Sequence, residues 1–138
     1  MPRLPLSLLA CLFATQPLAA AEPISGRWIN DDKDAVVEIA PCGAHLCGTI
    51  ARYLIVPPGG VDQRDIHNKE PALRSRRLLG STILTGFVAD GNAFRGRIYD
   101  PRNGKTYRSL LRRLGSDALE VKGCFGPICK TFHWVRAK

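Results

Sequence analysis

The residues best able to do chemistry in this sequence are two cysteine pairs with the same spacing. Cys42 and Cys47 enclose four residues, as do Cys124 and Cys129, and each pair has a histidine close by, His45 and His133. Thiolate and imidazole ligands at this density can hold zinc or another soft metal, exchange disulfides, or oxidise to structural bridges. Zinc sites commonly leave two residues between cysteines rather than four, and nothing near either pair is clearly placed to lower a thiol pKa. A shared metal site would also need the two clusters to meet in space. Four cysteines allow three pairings. Each pair brackets a reversal containing Gly or Pro, which favours Cys42–Cys47 and Cys124–Cys129 and leaves no metal expected.

A second group is the segment Tyr99-Asp100-Pro101-Arg102-Asn103-Gly104-Lys105-Thr106-Tyr107. Asp100 and Asn103 are suited to bond turn backbone, while Tyr99, Lys105 and Tyr107 could present polar tips to a ligand. Tyr53 joins them as a candidate contact. Asp62, Asp65, His67 and Glu70 fall together further upstream and have the types for acid–base work or calcium binding. They lack the acidic density and fixed spacing of an EF-hand loop. No Gly-x-Ser-x-Gly elbow and no His-Glu-x-x-His pair occurs. The expectation is a protein that is not an enzyme and has no cofactor.

These residues need elements to position them, and the pattern between them is one of strands. Short alternating or β-branched runs cover 24–30, 35–40, 47–56, 81–89, 93–99, 105–114, 119–123 and 130–136. Asp90-Gly91-Asn92, Asn103-Gly104 and Gly115-Ser116-Asp117 are turn signals, because such residues accept positive φ. Within 47–56, Ile50, Leu54 and Val56 alternate with Ala51, Tyr53 and Ile55, as in a strand covered on both sides at its far end. Pro57-Pro58-Gly59-Gly60 ends that run, and the segment from Pro57 to Leu79 is long for a compact domain, as lids and binding loops are. Asn68-Lys69-Glu70-Pro71 could cap a short helix there, running to Arg77 or Leu78. Its Arg74, Arg76 and Arg77 make it a candidate anion-contacting rim. Eight evenly spaced strands indicate an all-β fold, an antiparallel sandwich or an up-and-down barrel. Phe87, Phe94, Trp134, Tyr53 and Phe132 would either fill such a barrel or line a cavity in it.

Residues 1–21 have the features of a signal peptide: Arg3, an apolar run from Leu4 to Phe13, and Ala19-Ala20-Ala21 before the expected cut. The run is too short to span a bilayer, and no other stretch offers a transmembrane segment. Leu8-Leu9-Ala10-Cys11 loosely resembles a lipidation site, but would leave an unusually short apolar region. Cleavage after Ala21 removes Cys11 and leaves an even cysteine count in a single domain, 22–138, that is periplasmic or secreted. The whole chain carries +8, of which only Arg3 leaves with the leader. In an exported protein that excess favours an anionic envelope surface over nucleic acid.

Gly26-Arg27-Trp28 at the first strand and Arg136 at the last resemble the lipocalin/calycin pattern, in which Gly-x-Trp packs beneath a late basic residue that closes the barrel floor. The stretches Ile39–Gly43, Leu46–Gly48, Leu78–Gly80, Tyr99–Tyr107, Gly123-Cys124 and Trp134–Arg136 extend the likeness. With them the mature chain resembles an uncharacterised exported bacterial family, domain of unknown function 2147. That resemblance implies an eight-stranded, lipocalin-like barrel, with Gly26, Trp28 and Arg136 in structural roles, and no established activity. The expected function is binding of a small apolar or amphipathic ligand inside the barrel. The alternative is a ligand-free envelope adaptor acting through the basic loop.

Overall fold

The computed structural model describes residue 1, residues 12–17 and residues 20–138. Most of the expected leader, including the Cys11 lipidation motif, lies outside the described residues. The described residues form eight strands: β1 (Gly26–Ile29), β2 (Ala35–Cys42), β3 (His45–Tyr53), β4 (Thr82–Asp90), β5 (Ala93–Asp100), β6 (Lys105–Leu114), β7 (Ala118–Phe125) and β8 (Ile128–Arg136). Each pairs antiparallel with the next, and β1 pairs with β8 to close the barrel. Successive turns therefore alternate between two ends. The β2–β3, β4–β5 and β6–β7 turns lie at a floor, and the β1–β2, β3–β4, β5–β6 and β7–β8 connections lie at a mouth.

Closure rests on few residues. Only Trp28 with Arg136 and Ile29 with Val135 pair across the β1–β8 seam. The Arg136 guanidinium lies 4.3 Å from the centre of the Trp28 ring, and its Nε donates to Ser116 O at 2.9 Å. A cation on an indole face gains electrostatic attraction while its edge keeps hydrogen-bond partners. Fully buried Trp28 donates Nε1–H to Ile24 O at 2.9 Å. Gly26 has φ +134°, and a Cβ there would stand 2.6 Å from Arg136 Nη1. Gly, Trp and Arg thus form one physical unit, with the glycine leaving room for the guanidinium.

Irregularities in strand register decide which side chains face inward. Val36 pairs with Arg52 and Val37 with Ile50, so Ala51 is an extra residue on β3. Strict alternation would set Ile50 and Tyr53 on opposite faces. The bulge reverses that parity, and both reach the interior. A second shift between Thr85 and Val88 lets Leu84 and Phe87 both enter the core. Leu84 packs over Gly48, where a Cβ would be 2.6 Å from Leu84 Cδ1. Beyond Tyr53 the chain leaves the sheet, because the N–H groups of Leu54 and Ile55 both donate to Asp34 O. Leu54, Ile55 and Val56 are exposed, so this end is not the doubly covered strand that its apolar pattern suggests.

The long connection contains a single 3-10 turn, Pro71–Leu73, in place of a helix reaching Arg77 or Leu78. Asn68 Oδ1 accepts the Glu70 N–H at 2.8 Å, forming a local turn rather than a helix cap. An antiparallel bridge between Arg64 and Arg77 then holds the segment's two arms together.

Candidate functional site

The barrel is packed at its floor and hollow toward its mouth. Ile24, Trp28, Leu84, Phe87, Leu111 and Leu119 fill the lower half as fully or almost fully buried core. Above them opens a cavity of about 780 Å³, walled by apolar side chains that include Val37, Ile50, Ile83, Ile98, Val121 and Trp134. Small-ligand sites span about 300–1,000 Å³ and are largely apolar with a few placed polar groups. Strand periodicity explains the division. On β7, Leu119, Val121 and Gly123 face inward in succession from floor to mouth, and the last has no side chain to fill the space.

Among the expected contacts, Tyr53, Tyr99 and Tyr107 line the cavity, whereas exposed Lys105 lies outside its wall. The three tyrosines differ in what their hydroxyls do. Tyr107 Oη accepts from Asn103 Nδ2 at 2.9 Å. Tyr99 donates to Asp65 Oδ1 at 2.6 Å. Tyr53 Oη is buried with no hydrogen-bond partner, as is Ser109 Oγ, and these are the two such side-chain atoms among the described residues. A buried hydroxyl without a partner is destabilising. Burial, opposed by Arg77 and reinforced by Asp34, raises the Tyr53 pKa above the ordinary phenol value. Tyr53 is therefore a neutral donor near neutral pH. Ser109 pairs with Gly96 and Gly123 on either side.

Asp65 takes a different part from the acid–base or calcium role that its neighbourhood suggests. It is fully buried. Its carboxylate accepts from Tyr99 Oη, from Asn68 Nδ2 at 2.8 Å, and from Arg76 Nε and Nη2 at 2.8 Å each. Burial opposes its ionisation, but those three hydrogen bonds and the Arg76 charge outweigh it and hold the pKa below the usual carboxylate value. Burial, the hydrogen bond to Asp65 and the Asp65 charge push Tyr99 up to about 12. The Arg76 guanidinium also lies 5.6 Å from the Tyr99 ring centre. This cluster ties the β3–β4 connection to the end of β5. At Gly104 a Cβ would run into the His67 carbonyl, so the connection also packs on the β5–β6 turn. Sequence reading misses this latch because Tyr99 lies 34 residues from Asp65.

The basic segment spends its cations internally. Arg76 pairs with Asp65, Arg77 with Asp62 at 2.9 Å, and Arg74 Nε donates to Asn68 O. At the mouth, Arg102 joins Asp32 at 2.7 Å and Asp100 at 3.1 Å, linking the β1–β2 and β5–β6 turns. Lys130 projects into the mouth lining.

The cysteines form Cys42–Cys47 and Cys124–Cys129, with Cα atoms 5.8 and 4.1 Å apart. The first staples the β2–β3 turn at the floor and the second the β7–β8 turn at the mouth. The two clusters therefore do not meet, and no group of three or more metal-ligating side chains is assembled among the described residues. Among those residues no helix is long and apolar enough to cross a membrane.

Residues 26–136 match the family described as "Uncharacterized protein conserved in bacteria" (DUF2147). The chain belongs to this family. The structure is similar to that of Helicobacter pylori protein HP1028, which is described as belonging to the lipocalin family. The likeness has a TM-score of 0.74 at 22% identity and covers 84% of each chain. At that identity it speaks for the fold, an eight-stranded lipocalin-like barrel. No curated protein matches the chain. For this DUF2147 member, activity has to be argued from the site itself.

Proposed function

We propose that this protein is an exported, non-catalytic carrier that holds one small apolar or amphipathic molecule in the upper half of its barrel. The observation that carries the reading is the hollow of about 780 Å³ with an apolar wall above a filled floor. Removing apolar ligand surface from water would supply most of the affinity, at roughly 25 cal/mol per Å² before the costs of association. The unpartnered Tyr53 hydroxyl would orient the ligand by donating to an acceptor on it. The β3–β4 connection would form one side of the entrance, fixed by the Asp65 latch. The adaptor alternative is less supported, since Arg74, Arg76 and Arg77 are engaged within the loop that would carry it. Two disulfides support an oxidising compartment, and a periplasmic or secreted location is part of this proposal.

Titration with the apolar dye N-phenyl-naphthylamine tests the reading. Trp134 and Trp28 lie in one buried cluster beneath the hollow, so both should transfer energy to dye held there and their emission should be quenched saturably as the dye binds. Absence of saturable dye binding by the folded protein would refute it.

A further inference from the structure

The cavity mouth is edged by large apolar side chains that face water. Phe125 and Ile128 are 73% and 70% exposed at the β7–β8 tip, and Ile55 and Val56 are 63% and 56% exposed beyond β3. All four also line the mouth. Exposed apolar residues scattered singly need no explanation, but a set gathered around one opening does. The tip is built to hold its shape. The Cys124–Cys129 disulfide closes it, Arg108 Nη2 donates to Gly126 O, and the Tyr107 ring meets Phe125 edge-on with centroids 6.4 Å apart. Phe125 and Ile128 are thus held outward on a stapled turn.

Cations accompany this tip. Arg108 reaches it directly, Lys130 follows two residues after Ile128, and Lys105 begins the adjoining strand. None of the three is in an ion pair among the described residues. Among the acids of the mouth, Asp32 and Asp100 pair with Arg102, whereas Asp31 and Asp34, on the β1–β2 turn away from the tip, bond to neutral donors. Apolar tips with unpaired cations behind them suit a lipid surface, where side chains enter the acyl boundary while basic groups meet anionic headgroups.

We propose that the mouth end docks on an anionic lipid bilayer, with Phe125 and Ile128 inserted and Lys105, Arg108 and Lys130 at headgroup level. This surface differs from the basic loop and does not depend on a ligand filling the cavity. It would place the opening directly against a leaflet, from which a lipid-soluble molecule could enter without crossing water.

The test is co-sedimentation of the chain from Glu22 onward, which holds all eight strands, with vesicles of phosphatidylglycerol and phosphatidylethanolamine, and with phosphatidylcholine vesicles as the uncharged comparison. Binding should favour the anionic vesicles and weaken with salt. Phe125→Ser with Ile128→Ser should lower partitioning by about tenfold or more. Lys105→Gln and Lys130→Gln should each lower it by about fivefold. Both tip residues are exposed, so an unchanged melting curve should show that the fold survives. No binding to anionic vesicles, or equal binding by the tip variant, would overturn the proposal. So would loss of self-association in the tip variant with no change in vesicle binding, since a second copy would then be the partner of this surface.

Discussion

Replacing Asp65 by Asn changes one fully buried carboxylate by a single heavy atom, yet it alters every contact of the latch. The substitution removes the charge opposite Arg76 and leaves an amide in place of two acceptor oxygens that now serve Tyr99, Asn68 and Arg76. Hydrogen bonds to a charged group contribute about 1.5–3 kcal/mol each, and breaking a buried pair costs about 3–5 kcal/mol. Arg76 retains some access to water, with its side chain 31% exposed, so the lower part of that range applies. We expect a loss of about 3 kcal/mol. At about 4 °C per kcal/mol for a domain of this size, Tm should fall by roughly 12 °C. Urea unfolding gives the free energy, and tryptic cleavage at Arg74, Arg76 and Arg77 reports whether the connection has come loose. The acid limb provides a second check. A carboxyl whose folded pKa lies below its unfolded value stabilises above the unfolded pKa, and that contribution is lost as pH falls through the folded one. The parent should therefore lose stability below about pH 4, and Asp65→Asn should lose less over the same interval. A loss under about 1 kcal/mol with unchanged trypsin resistance would refute the claim that Asp65 anchors the connection.

Other substitutions separate packed floor from open cavity. Trp28→Ala removes the ring on which Arg136 stacks and should cost about 3–5 kcal/mol by chemical denaturation; an unchanged midpoint would contradict the closed floor. Gly123→Leu adds bulk to the hollow, where a Cβ would meet only Ile98 Cγ2 at 3.8 Å, so stability should change by less than about 1 kcal/mol while dye affinity falls; a loss of about 1–3 kcal/mol would mean the interior is already full. Tyr53→Phe deletes a buried hydroxyl that has no partner, and should leave the empty protein equally or more stable; destabilisation beyond about 1 kcal/mol would show that the hydroxyl is satisfied.

The strand architecture was legible because it is written locally. Asn103-Gly104 turns the chain where a positive φ is required, and Gly104 has φ +70° in the structure. The run 105–114 coincides with β6, and most other strands differ only by a few terminal residues. The closing unit of Gly26, Trp28 and Arg136 was visible through family likeness rather than through its weak local motif. Inward parity was less readable, since nothing in the residues around Ala51 announces a bulge that brings Tyr53 inside with Ile50. The Asp65 latch depends on partners from a distant strand and has no local signature. The short helix of the connection is confined to Pro71–Leu73 and stops short of Arg77, since Asn68 bonds the Glu70 N–H two residues on and also donates to Asp65 instead of capping a longer helix. The hollow is a still more collective property. It follows from which strand positions carry Phe87 at the floor, and which carry Gly123 near the mouth. Composition cannot report that arrangement.

Native mass spectrometry of the protein purified from the cells that make it tests the carrier reading most directly. The account predicts a chain four hydrogens light, for two disulfides, carrying one small-molecule adduct that is lost in Gly123→Leu. An oxidised, correctly folded chain with no adduct, together with no saturable uptake of apolar dye, would contradict it.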